Sequence, residues 1–229
     1  MDKRSRWLWK AVFVPALGIL LLVGASAMAG CQTTPECCEP RGAGHVVEHA
    51  SHVKPLGEGQ VVPTVMVETV SGDRKDLREV VTRKPTVLVF YRGGWCMYCR
   101  QQLGQLKMIQ PDLEALGYQM VAVSPDRPAK LRETVGKLKL DYTLLSDASA
   151  DAVRAYGLGF TLDADTRETY KGYGIDLEEA SGFSHHILPV PAVYLVGTDG
   201  VVDFVHYDPD YKKRLSPEEL LAEARKAQK

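Results

Sequence analysis

Residues 85–99 read PTVLVFYRGGWCMYC, and they set the architecture of this 229-residue chain. The part from Pro85 to Tyr91 is an almost uninterrupted apolar run, which is typical of a strand buried on both faces of a sheet. Two cysteines three residues apart, Cys96 and Cys99, follow it directly. Apolar residues then recur at helical spacing: Leu103, Leu106, Met108, Ile109, Leu113 and Leu116. The sequence therefore predicts a strand, a cysteine pair at a turn, and a helix that begins there.

The residues beyond this segment alternate between strand-like apolar runs and helical periodicity. The segments concerned are 118–123, 129–138, 142–145, 148–156, 192–196 and 201–207. A last helix is predicted after Ser216, because a serine N-cap followed by Glu219 forms a capping box. We therefore predict one α/β domain over residues 60–229, with a central mixed sheet flanked by helices. The polar stretch 157–188 is predicted to be a long connection.

The overall charge excludes one class of function. The chain has 28 Lys and Arg against 29 Asp and Glu, a formal net charge of −1. A nucleic-acid binder needs a clear basic excess to contact phosphates. The sequence also lacks a glycine-rich phosphate-binding motif, so we expect neither a nucleic-acid partner nor a cofactor.

The chemistry is predicted to centre on Cys96 and Cys99. At a strand-to-helix junction the two sulfurs lie on one side of the first helical turn, close enough to form a disulfide. The helix N-terminus lowers the pKa of a cysteine and supplies thiolate near neutral pH. We predict Cys96 as the more exposed, attacking sulfur and Cys99 as the resolving one. Arg92 and Arg100 are candidate cations for the thiolate, and Trp95 is a candidate cover for the pair.

Other uses of the cysteine pair agree less well with the sequence. A structural zinc site usually has four ligands, and no second cysteine pair stands at a matching distance. Covalent haem attachment requires histidine directly after the second cysteine, where this chain has Arg100. A structural disulfide that closes so small a loop would constrain the unfolded chain little. A redox role is therefore favoured, and no metal is expected.

The strand, the Trp-Cys-x-x-Cys motif, the helix and a later proline before an apolar strand resemble the thioredoxin fold. This resemblance implies a cis Val190–Pro191 bond, with Pro191 beside the cysteine pair. Five further segments are Tyr91-Arg92-Gly93-Gly94-Trp95-Cys96, Ser124-Pro125-Asp126, Leu145-Ser146-Asp147, Leu188-Pro189-Val190-Pro191-Ala192 and Asp208-Pro209-Asp210-Tyr211. Together they resemble, more closely, the peroxiredoxin-like branch of the alkyl hydroperoxide reductase and thiol-specific antioxidant (AhpC/TSA) family.

The resemblance to this family implies a thiol peroxidase. Thiolate Cys96 would attack a peroxide oxygen, become a sulfenic acid and condense with Cys99 to a disulfide. A thiol reductant, such as a thioredoxin-like protein, would reopen that disulfide. Typical members place Thr or Ser three residues before the attacking cysteine and Pro seven before, where this chain has Gly93 and Val89. Arg92 is the candidate for the family's peroxide-polarising arginine.

Two other functions would use the same cysteines. A membrane-tethered thiol–disulfide oxidoreductase acting on protein disulfides needs the pair, the cis-proline and an exposed Cys96. A Cu(I) carrier would add His185 or His186 to the two thiolates, which gives a soft metal site. Peroxide reduction is favoured over disulfide exchange, and both are favoured over metal delivery. Asp208, Asp210 and Tyr211 are expected to make a turn rather than a site.

Residues 1–30 are predicted to be an export signal. Four basic residues precede an uncharged stretch from Ala11 to Gly30, which is the plan of a secretory signal. Small residues directly before Cys31 resemble a bacterial lipoprotein cleavage site, so we expect Cys31 to carry lipid. The alternative is an uncleaved spanning helix. In either case we expect a membrane-anchored protein of the bacterial cell envelope, facing the periplasm or the exterior.

Residues 31–59 are predicted to be a flexible tether, because they contain several prolines and glycines and no sustained apolar period. They also carry the vicinal cysteines Cys37 and Cys38, whose purpose stays open, and three histidines. The histidines His45, His49 and His52 could share one face of a helix and hold a metal ion. A solvated linker is the favoured interpretation.

Overall fold

The computed structural model describes residue 44 and residues 46–228. In this part of the chain the strands are β1 (Met66–Thr69), β2 (Arg74–Asp76), β3 (Thr86–Phe90), β4 (Gln119–Ser124), β5 (Thr143–Ser146), β6 (Gly159–Thr161), β7 (Ile187–Pro189), β8 (Ala192–Val196) and β9 (Val202–Tyr207). The helices are α1 (Leu77–Val81), α2 (Met97–Ala115), α3 (Pro128–Leu138), α4 (Asp151–Ala155), α5 (Ala164–Gly172), α6 (Leu177–Ser181) and α7 (Pro217–Ala227).

One sheet contains seven of these strands in the order β2-β1-β5-β4-β3-β8-β9. Strands β3, β4 and β5 are parallel to one another, whereas the pairs at both ends of the sheet are antiparallel. The predicted α/β architecture with a mixed central sheet is therefore confirmed. The predicted capping box at the start of α7 is also present, between Ser216 and Glu219.

Strand β3 is buried along its whole length because both faces of the sheet are covered. Leu88 and Phe90 pack in a cluster on one face, where the Phe90 ring lies 4.7 Å from the Tyr156 ring. Val87 and Val89 pack on the other face against side chains of α2 and α7. Neighbouring residues of a strand point to opposite faces, so an uninterrupted apolar run is needed here.

The stretch 157–188, predicted to be a long connection, is folded. It contains β6, α5 and α6 and leads into β7, which pairs antiparallel with β6 in a separate two-stranded sheet. The Asp163 and Asp176 side chains cap the two helices by accepting hydrogen bonds from backbone N–H groups. Helix α5 buries none of its side chains, so its sequence lacks the apolar period that indicates a helix.

The described part of the predicted tether, residues 46–59, packs against the domain instead of standing free. The Val47 N–H donates to the Gly159 carbonyl at 3.1 Å, and the Leu56 N–H donates to the Tyr156 carbonyl at 3.0 Å. Val53 and Leu56 are buried. Two isolated apolar anchors and backbone hydrogen bonds hold this segment, and neither produces a periodic sequence pattern.

The predicted export signal, the lipid-bearing Cys31, the Cys37–Cys38 pair and His45 lie outside the described residues. His49 and His52 are exposed, with ring centroids 5.7 Å apart. Among the described helices, none combines the length and apolar character that crossing a bilayer requires.

The predicted cis bond before Pro191 is wrong, because the Val190–Pro191 peptide is trans. The two residues join β7 to β8 without a turn, and the Val190 N–H donates to the Leu158 carbonyl. An X–Pro bond prefers trans by about 0.5–1 kcal/mol, and cis proline belongs typically to tight turns. Pro191 is buried, and Ala192 after it pairs with Phe90. Pro191 therefore lies at the carboxyl end of β3, from which the chain runs into the cysteine motif.

Candidate active site

Cys96 occupies the N-cap position of α2, and Cys99 lies in the first turn of that helix. The Cys96 carbonyl accepts the Arg100 N–H at 3.0 Å. Both thiols are free and buried: Cys96 is 4% exposed and Cys99 is 0% exposed. The sulfurs are therefore at the predicted strand-to-helix junction, but Cys96 lies largely beneath other side chains.

The two thiols have opposite pKa shifts. A hydrogen bond from the Cys99 thiol is the main cause that lowers the pKa of Cys96 to about 6, with help from the Cys99 backbone N–H and the charges of Arg92 and Arg214. Burial, together with the hydrogen bond to Cys96, raises the pKa of Cys99 well above its ordinary value. Near neutral pH the pair therefore holds one thiolate, on Cys96, and one thiol, on Cys99.

Arg92 brings a buried positive charge to the site. It is 3% exposed, and its guanidinium carbon lies 4.1 Å from the ring centroid of Tyr211, 5.1 Å from that of Trp95 and 5.5 Å from that of Tyr170. In the described part of the chain no carboxylate forms an ion pair with it, and its Nε atom has no hydrogen-bond partner. Aromatic faces hold the cation without neutralising it, so its charge is available to an anion at Cys96.

Tyr211 belongs to this site, although the sequence indicated only a turn there. Its ring covers the Arg92 guanidinium and meets the Tyr98 ring edge-on at 5.6 Å. The Asp208 and Asp210 side chains do make the expected turn by accepting backbone N–H groups. The turn therefore presents an aromatic side chain to the cysteine motif.

Arg214 is a functional candidate that the sequence did not reveal. Its Nη2 donates to the Cys99 sulfur at 3.4 Å, and its Nη1 donates to the Gln102 side chain at 2.8 Å. Its Nε donates to the Tyr211 carbonyl at 2.8 Å. Arg214 lies 115 residues after Cys99, in a loop without a recognisable motif, so no local signal could have found it.

The two glycines before Trp95 leave no room for side chains. Gly93 has a φ of +148°, and a Cβ atom there would lie 2.8 Å from both Asp126 Oδ1 and Trp95 Cδ1, and closer still to Trp95 Nε1. A Cβ on Gly94 would meet the Thr134 side chain. The hydroxyl residue that family members typically have at position 93 is therefore sterically excluded here.

Asp126 is a second buried ionisable group at the motif. It is 2% exposed, and its Oδ2 accepts the Gly94 N–H at 2.6 Å. Burial raises the pKa of Asp126 to about 7, and the nearby Cys96 charge adds to the shift. Asp126 thus holds the backbone at Gly94 in place, and its own carboxyl group gains or loses a proton near neutral pH.

Arg100, a predicted cation for the thiolate, is exposed. It lines a cleft of about 180 Å³ with Trp95, Asp126 and Lys130. The charges that lower the pKa of Cys96 come from Arg92 and Arg214. Proximity in sequence therefore does not make Arg100 one of these charges.

The histidines considered for a metal site have other partners. His185 Nδ1 accepts the Ile187 N–H at 2.9 Å, and its Nε2 bonds the Ala148 carbonyl at 2.8 Å. His186 bonds Arg167 and Glu178. Among the residues that the structure describes, no three His, Cys, Asp or Glu side chains are grouped as metal ligands. The structure thus gives the Cu(I) hypothesis no support.

Comparison with known protein families matches residues 59–205 to the model of the AhpC/TSA family. The chain belongs to the AhpC/TSA family. The match contains the cysteine motif, Asp126 and the inserted segment with Tyr170, and it ends before Tyr211 and Arg214. Those two residues therefore lie in a part of the chain that the family model does not cover.

Two relatives and one solved structure show how far the similarity extends. A prostamide/prostaglandin F synthase of Salmo salar is 32% identical over 74 residues, 32% of this chain and 34% of the relative. A Bcp peroxiredoxin of Haemophilus influenzae is 31% identical over 75 residues, 33% of this chain and 48% of the relative. This chain thus spans half or less of each relative's length. The crystal structure of reduced Prx3 with hydrogen peroxide from Vibrio vulnificus superposes with a TM-score of 0.61 at 17% identity, covering 74% of this chain and 99% of that one. The fold is therefore the thioredoxin-like fold of peroxiredoxins.

Proposed function

We propose that the protein is a thiol peroxidase in which Cys96 reduces the peroxide and Cys99 resolves the product. The observation that carries this proposal is a thiolate-forming Cys96 beside Arg92, a buried cation that forms no ion pair with any carboxylate of the described residues. Negative charge passes from the sulfur to the departing oxygen when a peroxide bond breaks, and a preorganised cation stabilises that charge strongly in a buried site. Membership of the AhpC/TSA family supports the same chemistry.

The first step is attack by the Cys96 thiolate on one peroxide oxygen. An S–O bond forms, the O–O bond breaks, and the other oxygen leaves with the electron pair and takes up a proton from solvent. The sulfur is oxidised to sulfenic acid, and the peroxide is reduced to water or an alcohol. A pKa of about 6 keeps the thiolate populated at neutral pH, so the step needs no prior deprotonation.

The second step joins the two sulfurs. The Cys99 sulfur attacks the sulfenic sulfur, an S–S bond forms, and hydroxide leaves and is protonated to water. Burial keeps Cys99 protonated, so it must lose its proton as it attacks. Arg214, which donates to the Cys99 sulfur, is placed to stabilise the thiolate that forms. A dithiol reductant, such as a thioredoxin-like protein, then reopens the disulfide.

The burial of Cys96 favours a small substrate. A protein disulfide must bring its own sulfur into line with the attacking thiolate, and a residue that is 4% exposed offers little access. Hydrogen peroxide needs no such opening. The alternative function, a thiol–disulfide oxidoreductase acting on proteins, uses the same low pKa of Cys96 and therefore needs a direct test.

The test uses the purified full chain, reduced, with Cys96→Ser and Cys99→Ser as the two variants. Stopped-flow kinetics and mass spectrometry follow its reaction with hydrogen peroxide. We expect a second-order rate constant at least about a hundredfold above that of free cysteine, formation of a Cys96–Cys99 disulfide, and sulfenic acid trapped by dimedone in Cys99→Ser. A rate equal to that of free cysteine, together with rapid reduction of insulin disulfides, would instead establish the oxidoreductase.

We also propose that the chain is held at the bacterial cell envelope by lipid on Cys31. The support is the sequence pattern alone: a basic start, an uncharged stretch and small residues before the cysteine. Such an anchor would place Cys96 in a compartment where disulfides form and persist. The test of the anchor is given with the other predictions below.

A further inference from the structure

Tyr170 places a hydroxyl group against Arg92. It lies on α5, in the inserted segment, 78 residues after Arg92. The Arg92 Nη2 donates a hydrogen bond to the Tyr170 oxygen, and the Tyr170 ring packs against Trp95 with centroids 5.7 Å apart. The inserted segment therefore reaches back to the residues that flank Cys96.

The hydrogen bond with Arg92 leaves the Tyr170 proton free. Guanidinium groups only donate hydrogen bonds, so the tyrosine oxygen must be the acceptor. A hydroxyl has one hydrogen as well as its lone pairs, and within the described part of the chain the Tyr170 hydroxyl donates no hydrogen bond. The Tyr170 hydroxyl can thus donate a hydrogen bond to a bound small molecule while Arg92 holds the tyrosine oxygen in position.

The Tyr170 hydroxyl is important because position 93 cannot supply one. Gly93 cannot carry a hydroxyl side chain, because a Cβ atom would overlap Trp95 and Asp126. Arg92 also has an unused donor, since its buried Nε has no partner. The site consequently contains two free donors, one on Arg92 and one on Tyr170, joined by a hydrogen bond. The charge of Arg92 acts on the Cys96 sulfur, and Tyr170 packs against Trp95, the residue before Cys96.

We propose that Tyr170 is a catalytic residue whose hydroxyl donates a hydrogen bond to the peroxide. The inference rests on the proposed peroxidase function and extends it to a residue outside the cysteine motif. As the Cys96 sulfur bonds to one oxygen and the O–O bond breaks, the other oxygen accumulates negative charge. The Tyr170 hydroxyl and Arg92 both donate to that oxygen, and solvent supplies the proton that it finally carries. The insertion thereby provides the hydroxyl that position 93 excludes.

The test replaces Tyr170 by Phe in the full chain and uses Tyr173→Phe as the matched control. Both changes remove one hydroxyl, but Tyr173 is 76% exposed and lies at the end of α5. Two second-order rate constants are measured at pH 8, where the Cys96 thiolate is formed: oxidation by hydrogen peroxide and alkylation by iodoacetamide. Alkylation depends on the thiolate but breaks no O–O bond, so it separates thiolate formation from peroxide activation.

We expect Tyr170→Phe to slow oxidation at least tenfold while alkylation changes less than twofold, and Tyr173→Phe to change neither. Equal slowing of both reactions would show a structural role for Tyr170 and overturn the proposal, as would unchanged oxidation. Thermal unfolding of each variant establishes that it is folded. If the wild-type chain reacts with peroxide no faster than free cysteine, the peroxidase function itself is refuted. If the wild type reacts fast and Tyr170→Phe reacts equally fast, only the role of Tyr170 is refuted.

Discussion

Replacing Gly93 by Ala should destabilise the fold and impair the site at the same time. The backbone at Gly93 has a φ of +148°, which L side chains rarely adopt. The added Cβ would lie 2.8 Å from Asp126 Oδ1 and from Trp95 Cδ1. Both neighbours are buried or packed in the site, so neither can move without disturbing the loop that leads to Cys96.

The magnitude follows from two separate costs. An unfavourable backbone conformation for a residue with a side chain costs about 1–3 kcal/mol. Forcing an extra methyl group into a packed site costs about 1–3 kcal/mol more. The free energy of unfolding should therefore fall by about 2–6 kcal/mol, a large share of the 5–15 kcal/mol that is typical of a domain. Gly93→Thr, which introduces a residue typical of the family, should lose at least as much.

Gly104→Ala is the matched control, because Gly104 lies in α2 and its added Cβ would meet no atom within 4 Å. It should stabilise the chain by about 0.5–1 kcal/mol through helix propensity. The assay is urea unfolding of each variant, combined with the rate constant for hydrogen peroxide. A Gly93→Ala chain as stable and active as wild type, or a Gly93→Thr chain that reacts faster, would refute the steric reasoning.

Four further predictions concern single residues. The rate of Cys96 alkylation should have its midpoint near pH 6 and fall as acidification protonates the thiolate; a midpoint near 8.5, the value of a free thiol, would contradict it. Arg92→Gln should raise that midpoint, because the cation lowers the pKa of Cys96. It should also slow peroxide reduction about tenfold or more, because in the proposed mechanism the cation stabilises the departing oxygen. An unchanged pH profile would exclude this role. Arg214→Gln should lengthen the lifetime of the Cys96 sulfenic acid several-fold, measured by dimedone trapping, because it removes a donor to the Cys99 sulfur; disulfide formation at the wild-type rate would argue against it. Cys31→Ser should abolish incorporation of labelled palmitate and release the chain from the membrane fraction in a bacterial host. A wild-type chain that incorporates no labelled palmitate would disprove the lipid anchor.

Interpretations from the sequence were reliable where one short segment carries the whole signal. The run from Thr86 to Phe90 forms the fully buried central strand, and the cysteine pair stands at the start of α2. They were less reliable where a segment is held by few contacts. Helix α5 buries no side chain and residues 46–59 are held by isolated anchors, so neither shows periodicity. The Val190–Pro191 bond is trans although the resemblance to the thioredoxin fold implies cis, and no local sequence signal distinguishes the two isomers here.

The sequence by itself determined that this chain has an α/β sheet with a Cys-x-x-Cys pair at a strand-to-helix junction. Periodicity and adjacency are local properties, and they are visible in consecutive residues. The tertiary structure alone decided which distant side chains contact the cysteine motif and its flanking Arg92. Tyr170 and Arg214 reach the motif from 78 and 115 residues away, and such contacts have no local pattern. The charge of Arg214 contributes to the low pKa of Cys96, the Tyr170 ring packs against Arg92, and Asp126 helps to exclude a side chain at Gly93. Electrostatic and steric effects of this kind act through space and not along the chain.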